Sequence, residues 1–264
     1  MRAMVTAAAL FLSSAPLGAQ VEIRSLTGTI EGHEVGGVTI DMIGNVYAAD
    51  FGDIVWKVTP EGQHTLFVSG LYGTSGNAID NQGNLLQASF YADEITRVDR
   101  NGQATPFVTG QVSRPAGLAV DRQTGDLYVT SCNGNSIMKV TRDGTVAPFA
   151  KSDLFNCPYG IAFDRAGNLY VVNYNDNRMT KIDPQGGAVT LFATVSEKGL
   201  GHLCFKQDRF YITATASVRS STASARMRGS RFRWALHAIH GRRGSTSTKR
   251  RTSRECCRAA RLFG

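Results

Sequence analysis

An all-β fold assembled from repeated four-stranded units is predicted by three features of this 264-residue sequence. First, four consecutive segments superpose, beginning "GVTIDMIGNVYAAD", "GNAIDNQGNLLQAS", "GLAVDRQTGDLYVT" and "GIAFDRAGNLYVVN". Second, a turn glycine recurs at steps of 39, 42 and 42 residues, as Gly44, Gly83, Gly125 and Gly167. Third, another glycine and an aromatic residue keep the same register, as Gly62, Gly102, Gly144 and Gly186 and as Phe67, Phe107, Phe149 and Phe192. So constant a period indicates a repeat architecture.

Each unit reads as strand, Gly turn, strand, loop, strand, Gly turn and strand. In the third copy the predicted strands are Leu118–Val120, Leu127–Thr130, Ile137–Thr141 and Val146–Phe149. Short runs rich in Val, Ile, Tyr and Phe between Asx-Gly turns are typical of hairpins, and no helical period persists. Four strands per unit predict a β-propeller blade, because radial repetition leaves only short protected edges. A β-solenoid, the alternative, has shorter coils.

Residues 20–216 form the predicted propeller, with four full blades and part of a fifth from a six-bladed parent. The partial blade begins at "GHLCFKQDRFYITA", which matches "GIAFDRAGNLYVVN" of blade four. The segment "VEIRSLTG" (21–28) resembles the outermost strand of each blade. We therefore expect it to close the ring against inner strands from the end of the chain.

The net charge of +8 lies in the last part of the chain. Residues 217–264 carry 13 Lys and Arg against the single acid Glu255, whereas residues 1–216 are net −4. A functional basic arm would bind phosphates or anionic lipids. We expect instead a disordered product of a shifted reading frame, because the tail starts where the next strand of blade five is due. We expect no nucleic-acid partner, because a protein with a secretory signal, which the N-terminus predicts, rarely meets nucleic acid. A ring left open there exposes a strand edge, so we expect poor solubility or inactivity.

The first 19 residues, "MRAMVTAAALFLSSAPLGA", predict a secretory signal peptide: an early base, a short apolar run and small residues before Gln20. We expect a secreted or periplasmic monomer in an oxidising compartment. The apolar run is too short to cross a bilayer, so no membrane span is expected.

The units "GLAVDRQTGDLYVTSCNGNSIMKV" and "GIAFDRAGNLYVVNYNDNRMTKI" resemble those of NHL-repeat propellers. More broadly, residues 21–216 are similar to the gluconolactonase, senescence-marker-protein and strictosidine-synthase-like superfamily. The resemblance implies a six-bladed ring with ligands at one mouth of the central channel, and in catalytic members a divalent ion, usually calcium. Its motifs are specific for the fold and weak for function.

The resemblance places the ion ligands just before the glycine of each innermost strand. The corresponding residues here are Gly36, Ser75, Ala116, Tyr159 and Gly201, and none is a carboxylate. The nearest acid, Glu34, lies two residues early. A calcium shell needs six to eight oxygen ligands, so the lactonase site is not matched. No cofactor is assigned; Glu34 and Asp176 are the metal-ligand candidates if Ca²⁺ or another divalent ion binds.

Repetition separates scaffold residues from site residues. A polar residue present in every blade serves the blade, as we infer for Asp53, Asp93, Asn135 and Asn177 and for Asp41, Asp80, Asp121 and Asp164. His202 is different, since it replaces the glycine found at 37, 76, 117 and 160. We expect its side chain to face the channel as a metal ligand or base, the alternative being a histidine that fills space in an irregular blade.

Further blade-specific residues fall on the face that the blade-to-blade loops share. The ligand-binding candidates are Tyr159, Tyr174, Arg114, Asn133, Phe90, Tyr91, Thr74 and His33. Tyr159 and Tyr174 form either an aromatic lip or rim packing, and Arg114 either binds a carboxylate or is a solvated loop residue. Cys132 and Cys157 lie in adjacent loops of blades three and four, and an oxidising compartment permits a disulfide between them.

These patterns leave three functions open. The first is an exported propeller that binds a small molecule at the mouth of its channel. The second is a metal-dependent lactone or ester hydrolase, or a lyase, with His202 catalytic. The third is a protein-interaction scaffold.

Overall fold

The computed structural model describes residues 36–183, 185, 187–195, 199–205 and 210–214, and the backbone alone at 3–10, 23–32, 206, 209 and 235–238. These residues form an all-β structure in which four antiparallel sheets have four strands each, all paired in chain order. The described residues contain no helix long and apolar enough to cross a membrane. The fold class predicted from the repeats is confirmed.

The four full blades contain the third to the eighteenth strand. Blade 1 consists of β3 (Val38–Ile40), β4 (Val46–Ala49), β5 (Val55–Val58) and β6 (His64–Val68). Blade 2 consists of β7 (Thr74–Ile79), β8 (Leu85–Ser89), β9 (Glu94–Val98) and β10 (Ala104–Thr109). Blade 3 consists of β11 (Pro115–Val120), β12 (Leu127–Ser131), β13 (Ser136–Val140) and β14 (Val146–Lys151). Blade 4 consists of β15 (Pro158–Phe163), β16 (Leu169–Asn173), β17 (Arg178–Ile182) and β18 (Val189–Thr194).

Blade 5 contains the two predicted strands, β19 (Leu200–Lys206) and β20 (Arg209–Ala214), paired antiparallel. A third strand, β21 (Ala235–Ala238), pairs in parallel with β20. The expectation that β20 has no outer partner is therefore wrong. The edge of β20 would otherwise present a row of free N–H and C=O groups, which favours pairing with a further strand. The chain between β20 and β21 is long enough for the crossover that a parallel pair needs. The rest of the tail predicted to be disordered lies outside the described residues.

The first two strands differ from the predicted ring closure. β1 (Ala3–Leu10) pairs antiparallel with β2 (Ile23–Gly32), and the two form a separate sheet. The segment expected to close the ring thus pairs with its neighbour in sequence, which costs less loop entropy than pairing with a strand at the far end of the chain. The signal peptide stays a prediction.

Asp-Gly turns set the hairpin at the start of each blade. In blade 1 the Asp41 carboxylate accepts hydrogen bonds from the backbone amides of Ile43 and Asn45 at 3.0 and 2.8 Å. Gly44 then adopts φ +93°, a conformation that side chains disfavour. The bond from the amide two residues on recurs at Asp80, Asp121 and Asp164, and the bond from the amide four residues on recurs at Asp80 and Asp164. These aspartates therefore serve the scaffold as predicted.

The hydrophobic core is divided among the blade interfaces. Side chains alternate across each blade, so one face packs on the preceding blade and the other on the following blade. Between blades 2 and 3, for example, Leu86 and Ile95 pack with Leu127 and Val129. Corresponding clusters join blades 1 and 2, 3 and 4, and 4 and 5.

The innermost strands approach one another closely enough to exclude a side chain. The Gly37 amide of blade 1 donates to the Ser75 carbonyl of blade 2 at 2.7 Å. A Cβ added at Gly76 would overlap the Ala116 carbonyl of blade 3, and one at Gly117 would overlap the Tyr159 carbonyl of blade 4. The glycine that recurs in these strands is therefore required by backbone contact between blades.

We expect Gly117→Ala to lower the free energy of unfolding by about 1–3 kcal/mol, because the methyl group must displace backbone. Urea unfolding measures the change. Gly187→Ala is the matched control, since Gly187 is exposed and a Cβ there meets nothing within 4 Å. Equal stabilities of the two variants would refute the close approach.

Candidate functional site at the channel mouth

The innermost strands of five blades line a cavity of about 280 Å³. It extends from His202 at the mouth to Phe163 and Arg122 at the opposite end. One tier of the wall has an aligned residue from each blade: Val38, Asn77, Leu118, Ile161 and Leu203. This tier is apolar except for Asn77, whereas the rest of the wall includes the polar residues Thr39, Arg122, His202 and Thr213, and such a mixed lining is usual for small-molecule sites.

Tyr159 is not itself part of the cavity wall, but it is the centre of an aromatic cluster that contacts His202 of the wall. Its hydroxyl lies 2.9 Å from the Ser75 hydroxyl, so a side chain of blade 4 reaches blade 2 across the inner strand of blade 3. Its ring centroid lies 5.4 Å from that of His202, 5.6 Å from that of Tyr174 and 6.3 Å from that of Phe90. The structure therefore brings together four residues that the sequence singled out.

The loop before Tyr159 is fixed by several bonds. The Asn135 carboxamide oxygen accepts a hydrogen bond from the Cys157 backbone amide at 2.8 Å, and the Thr130 hydroxyl donates one to the Tyr159 carbonyl at 2.9 Å. Cys157 has φ +52°, a strained conformation for a residue other than glycine. These contacts hold Tyr159 in place before any ligand arrives.

Cys132 and Cys157 form a disulfide in the structure, closing a loop with a sequence separation of 25 residues. Both are buried, and they pack with Phe90 and Ala116 beside the partly buried Tyr159. The disulfide thus lies beneath the aromatic cluster and ties a loop of blade 3 to the start of blade 4.

His202 lies in the cavity wall, where the sequence predicts it. Its backbone amide donates to the Thr213 hydroxyl at 2.7 Å. Desolvation lowers the pKa of the imidazole to about 4. The ring is therefore neutral at physiological pH and has one nitrogen able to accept and one able to donate a hydrogen bond.

A second group of aromatic residues continues the cluster onto the surface. Tyr91 contacts Phe90, Phe51 and Tyr72, with ring centroids 5.2, 5.9 and 5.4 Å away. Tyr72 and Tyr91 are 65% and 50% exposed, so this group, which we call the rim patch, faces solvent. The exposed Arg114 guanidinium lies 5.4 Å from the Phe90 ring centroid, a cation–π contact.

Other predicted site residues lie elsewhere or have structural contacts. Thr74 is fully buried and its hydroxyl contacts the Asp50 carboxylate of blade 1 at 3.4 Å, so it does not reach the mouth. Asn133 is exposed and is not part of the cavity wall. His33 lies outside the described residues.

The metal-ligand candidates do not form a site in the described part of the chain. The Asp176 carboxylate accepts a bond from Arg178 Nε at 2.9 Å and lies 2.7 Å from a second Arg178 nitrogen. Burial opposes ionisation, but the Arg178 bonds hold the pKa of Asp176 below its ordinary value. Glu34 lies outside the described residues. Among those described, no three His, Cys, Asp or Glu side chains are grouped to hold a metal ion.

Sequence reasoning named Ser75 only as a position of the unmatched ion site, and it missed Tyr72 and the polar pair Asn77 and Gln87 of blade 2. The pair could have been found by the same repeat comparison that identified His202. Asn77 aligns with apolar residues in the other blades, namely Val38, Leu118, Ile161 and Leu203. Gln87 likewise aligns with Ala48, Val129, Val171 and Ile212.

Comparison with known proteins identifies the fold. No family model and no curated protein matches the sequence. A structure of a nidogen–laminin complex matches at 19% identity over 81% of this chain and 85% of that chain, with a TM-score of 0.68. A gluconolactonase from Xanthomonas campestris matches at 22% identity over 67% of this chain and 68% of that chain, with a TM-score of 0.58.

A virginiamycin B lyase from Staphylococcus aureus also matches. The matched structure contains quinupristin and is a catalytically inactive variant in which alanine replaces a histidine. It is 15% identical to this chain over 82% of this chain and 78% of that chain, with a TM-score of 0.59. Two further lyase structures also match, and this chain spans 59% of the length of one and 62% of the length of the other. At these identities the likeness shows the fold: the chain is a β-propeller similar to NHL-repeat, lyase and gluconolactonase propellers.

The low pKa of His202 predicts a pH dependence of stability. The folded state holds the imidazole neutral, whereas the unfolded chain binds a proton below about 6.5. Stability is therefore complete above pH 6.5 and falls as the pH approaches 4. We expect His202→Asn to reduce the loss of unfolding free energy between pH 7 and pH 5 by about 2 kcal/mol. Urea unfolding at both pH values measures it, and an unchanged loss would contradict the burial of His202.

Proposed function

We propose that this chain is an exported β-propeller protein that binds a small molecule at the mouth of its central channel. The observation that carries the proposal is the position of Tyr159, whose ring contacts His202 in the wall of a cavity of about 280 Å³ and whose hydroxyl contacts Ser75. An aromatic ring next to a wall residue offers a ligand a large, rigid contact surface. The neutral His202 adds a polar contact without a charge.

The chemistry of the wall indicates the class of ligand. The tier of Val38, Leu118, Ile161 and Leu203 favours an apolar body, and an apolar cavity of about 150 Å³ already holds benzene. Single-ring aromatic compounds are therefore suitable probes. Export is supported by the N-terminal sequence and by the Cys132–Cys157 disulfide, which persists in oxidising compartments.

Replacement of Tyr159 tests the proposal. We expect Tyr159→Ala to weaken binding of phenol about tenfold, because the variant loses the ring beside His202. Tyr159→Phe keeps the ring and should retain most of the affinity. Tyr72→Ala is the matched control, since Tyr72 belongs to the rim patch and is 65% exposed. Ligand-observed NMR or calorimetry measures the affinities.

Two results would contradict the proposal. Tyr159→Ala would then bind phenol as wild type does, or no single-ring probe would bind wild type.

The alternative is a hydrolase or lyase in which His202 is catalytic. Its support is the neutral imidazole in the cavity and the matched lyase, whose histidine-to-alanine variant is inactive. Hydrolysis of lactones and aryl esters, assayed with and without Ca²⁺ and repeated with His202→Ala, separates this function from binding alone.

A protein-interaction scaffold is the other alternative, and the rim patch favours it. Tyr72, Tyr91 and Tyr174 are 65%, 50% and 39% exposed, and exposed aromatic residues are enriched at protein interfaces. One matched structure is a nidogen–laminin complex. A partner whose capture depends on Tyr72 and Tyr91 but is insensitive to Tyr159→Phe would favour it.

A further inference from the structure

The end of the cavity opposite His202 has a positive charge. Arg122, two residues after the innermost strand of blade 3, is exposed and belongs to the cavity wall. In the part of the chain that the structure describes, no Asp, Glu or Lys contributes to that wall. Because the His202 ring is neutral at physiological pH, the channel is cationic at one end and uncharged along the rest of its length.

The Arg122 guanidinium has no partner among the described residues. Its backbone carbonyl accepts a hydrogen bond from Asn81 Nδ2 of blade 2 at 3.3 Å, but no ion pair or hydrogen bond joins the guanidinium to a described group. Arg178, by contrast, is paired with Asp176. A guanidinium has five N–H donors in a planar fork that matches the two oxygens of a carboxylate. The Arg122 fork is thus available to an anion from outside the chain.

The acidic residues at this end of the propeller are engaged elsewhere. Each scaffold aspartate accepts hydrogen bonds from the backbone amides of its own turn, and none belongs to the cavity wall. Asp121, which precedes Arg122, accepts the Gln123 amide at 2.8 Å. The negative charges of these turns weaken any long-range attraction of anions, so binding of an anion here requires direct contact with Arg122.

Apolar side chains line the channel beside Arg122. They occupy one aligned position in the innermost strands of blades 2 to 5, namely Ile79, Val120, Phe163 and Phe205. A ligand at this end meets apolar surface from four blades and a cation at the edge. This combination suits a molecule with an apolar body and one anionic group, which stays partly hydrated because Arg122 is exposed.

Blade 4 provides a matched comparison for Arg122. The residue after the turn aspartate is Met42 in blade 1, Asn81 in blade 2 and Arg165 in blade 4. Arg165 is exposed like Arg122, but it does not belong to the cavity wall. The same side chain thus occurs at the same repeat position once in the wall and once outside it.

We propose that Arg122 binds the anionic group of the channel's ligand, and that this ligand is a small carboxylate with an apolar body, such as a single-ring aromatic acid. The guanidinium donates hydrogen bonds to the carboxylate while the body lies among the apolar residues of the wall. A single cation favours a monoanion over a phosphate dianion. The inference rests on the proposed small-molecule binding, because it specifies the class of molecule that the same cavity accepts.

The test compares benzoate with benzamide, which has nearly the same shape and no charge. Calorimetry or ligand-observed NMR at pH 7 gives the ratio of the two dissociation constants in wild type and in Arg122→Gln. We expect the substitution to shift this ratio about fivefold against benzoate, the size expected for an exposed ion pair. Arg165→Gln is the matched control and should leave the ratio unchanged.

Salt dependence gives a second readout. Raising the salt concentration from about 0.02 M to about 0.5 M should weaken benzoate binding to wild type and have little effect on Arg122→Gln, because salt screens an exposed ion pair. Arg122→Lys keeps the charge but loses the planar fork, so it should retain part of the preference for benzoate. The melting temperature of Arg122→Gln should equal that of wild type, since Arg122 is exposed.

The outcomes separate this inference from the proposed function. An unchanged ratio in Arg122→Gln, or an equal shift in Arg165→Gln, overturns the role of Arg122, and small-molecule binding stands if phenol still binds. Failure of benzoate, benzamide and phenol to bind wild type overturns both. A shift confined to Arg122→Gln, with phenol binding and melting temperature unchanged, supports the inference.

Discussion

Backbone contact between the innermost strands is the constraint on which the rest of the molecule depends. Neighbouring blades approach so closely at Gly37, Gly76 and Gly117 that a Cβ would overlap a carbonyl or amide of the next strand. This spacing fixes the width of the channel. Backbone of Gly37, Gly76 and Gly117 therefore forms part of the cavity wall beside the side chains of the following residues.

Tyr159 illustrates how the narrow ring produces a site. Because Gly117 has no side chain, the backbone of blade 4 lies against blade 3, and the Tyr159 hydroxyl can reach Ser75 of blade 2. The ring then lies beside His202, whose low pKa follows from its burial. The site is thus a consequence of close blade packing and of one aromatic residue in a position that is otherwise small.

The repeat pattern was enough to predict most of the fold. In blade 3 the strands expected from the sequence agree with the observed Pro115–Val120, Leu127–Ser131, Ser136–Val140 and Val146–Lys151 to within a few residues. Local turn chemistry and side-chain alternation suffice for this, since both act between residues that are near in sequence. The pairing of β2 with β1 and the pairing of β21 with β20 were not predicted. An edge strand pairs with whatever extended segment lies near it in space.

By itself, the sequence determined the all-β repeat, the scaffold aspartates, the candidate Tyr159–His202 mouth and the cysteines now seen as a disulfide. All of these depend on residue type at a repeated position. Tertiary structure alone decided that Thr74 is buried against Asp50, that Asp176 pairs with Arg178, and that the Asn77 carboxamide oxygen is buried without a donor among the described residues. The physical reason is that a polar side chain is satisfied or left unpaired by atoms from another blade, and one blade's sequence does not specify those neighbours.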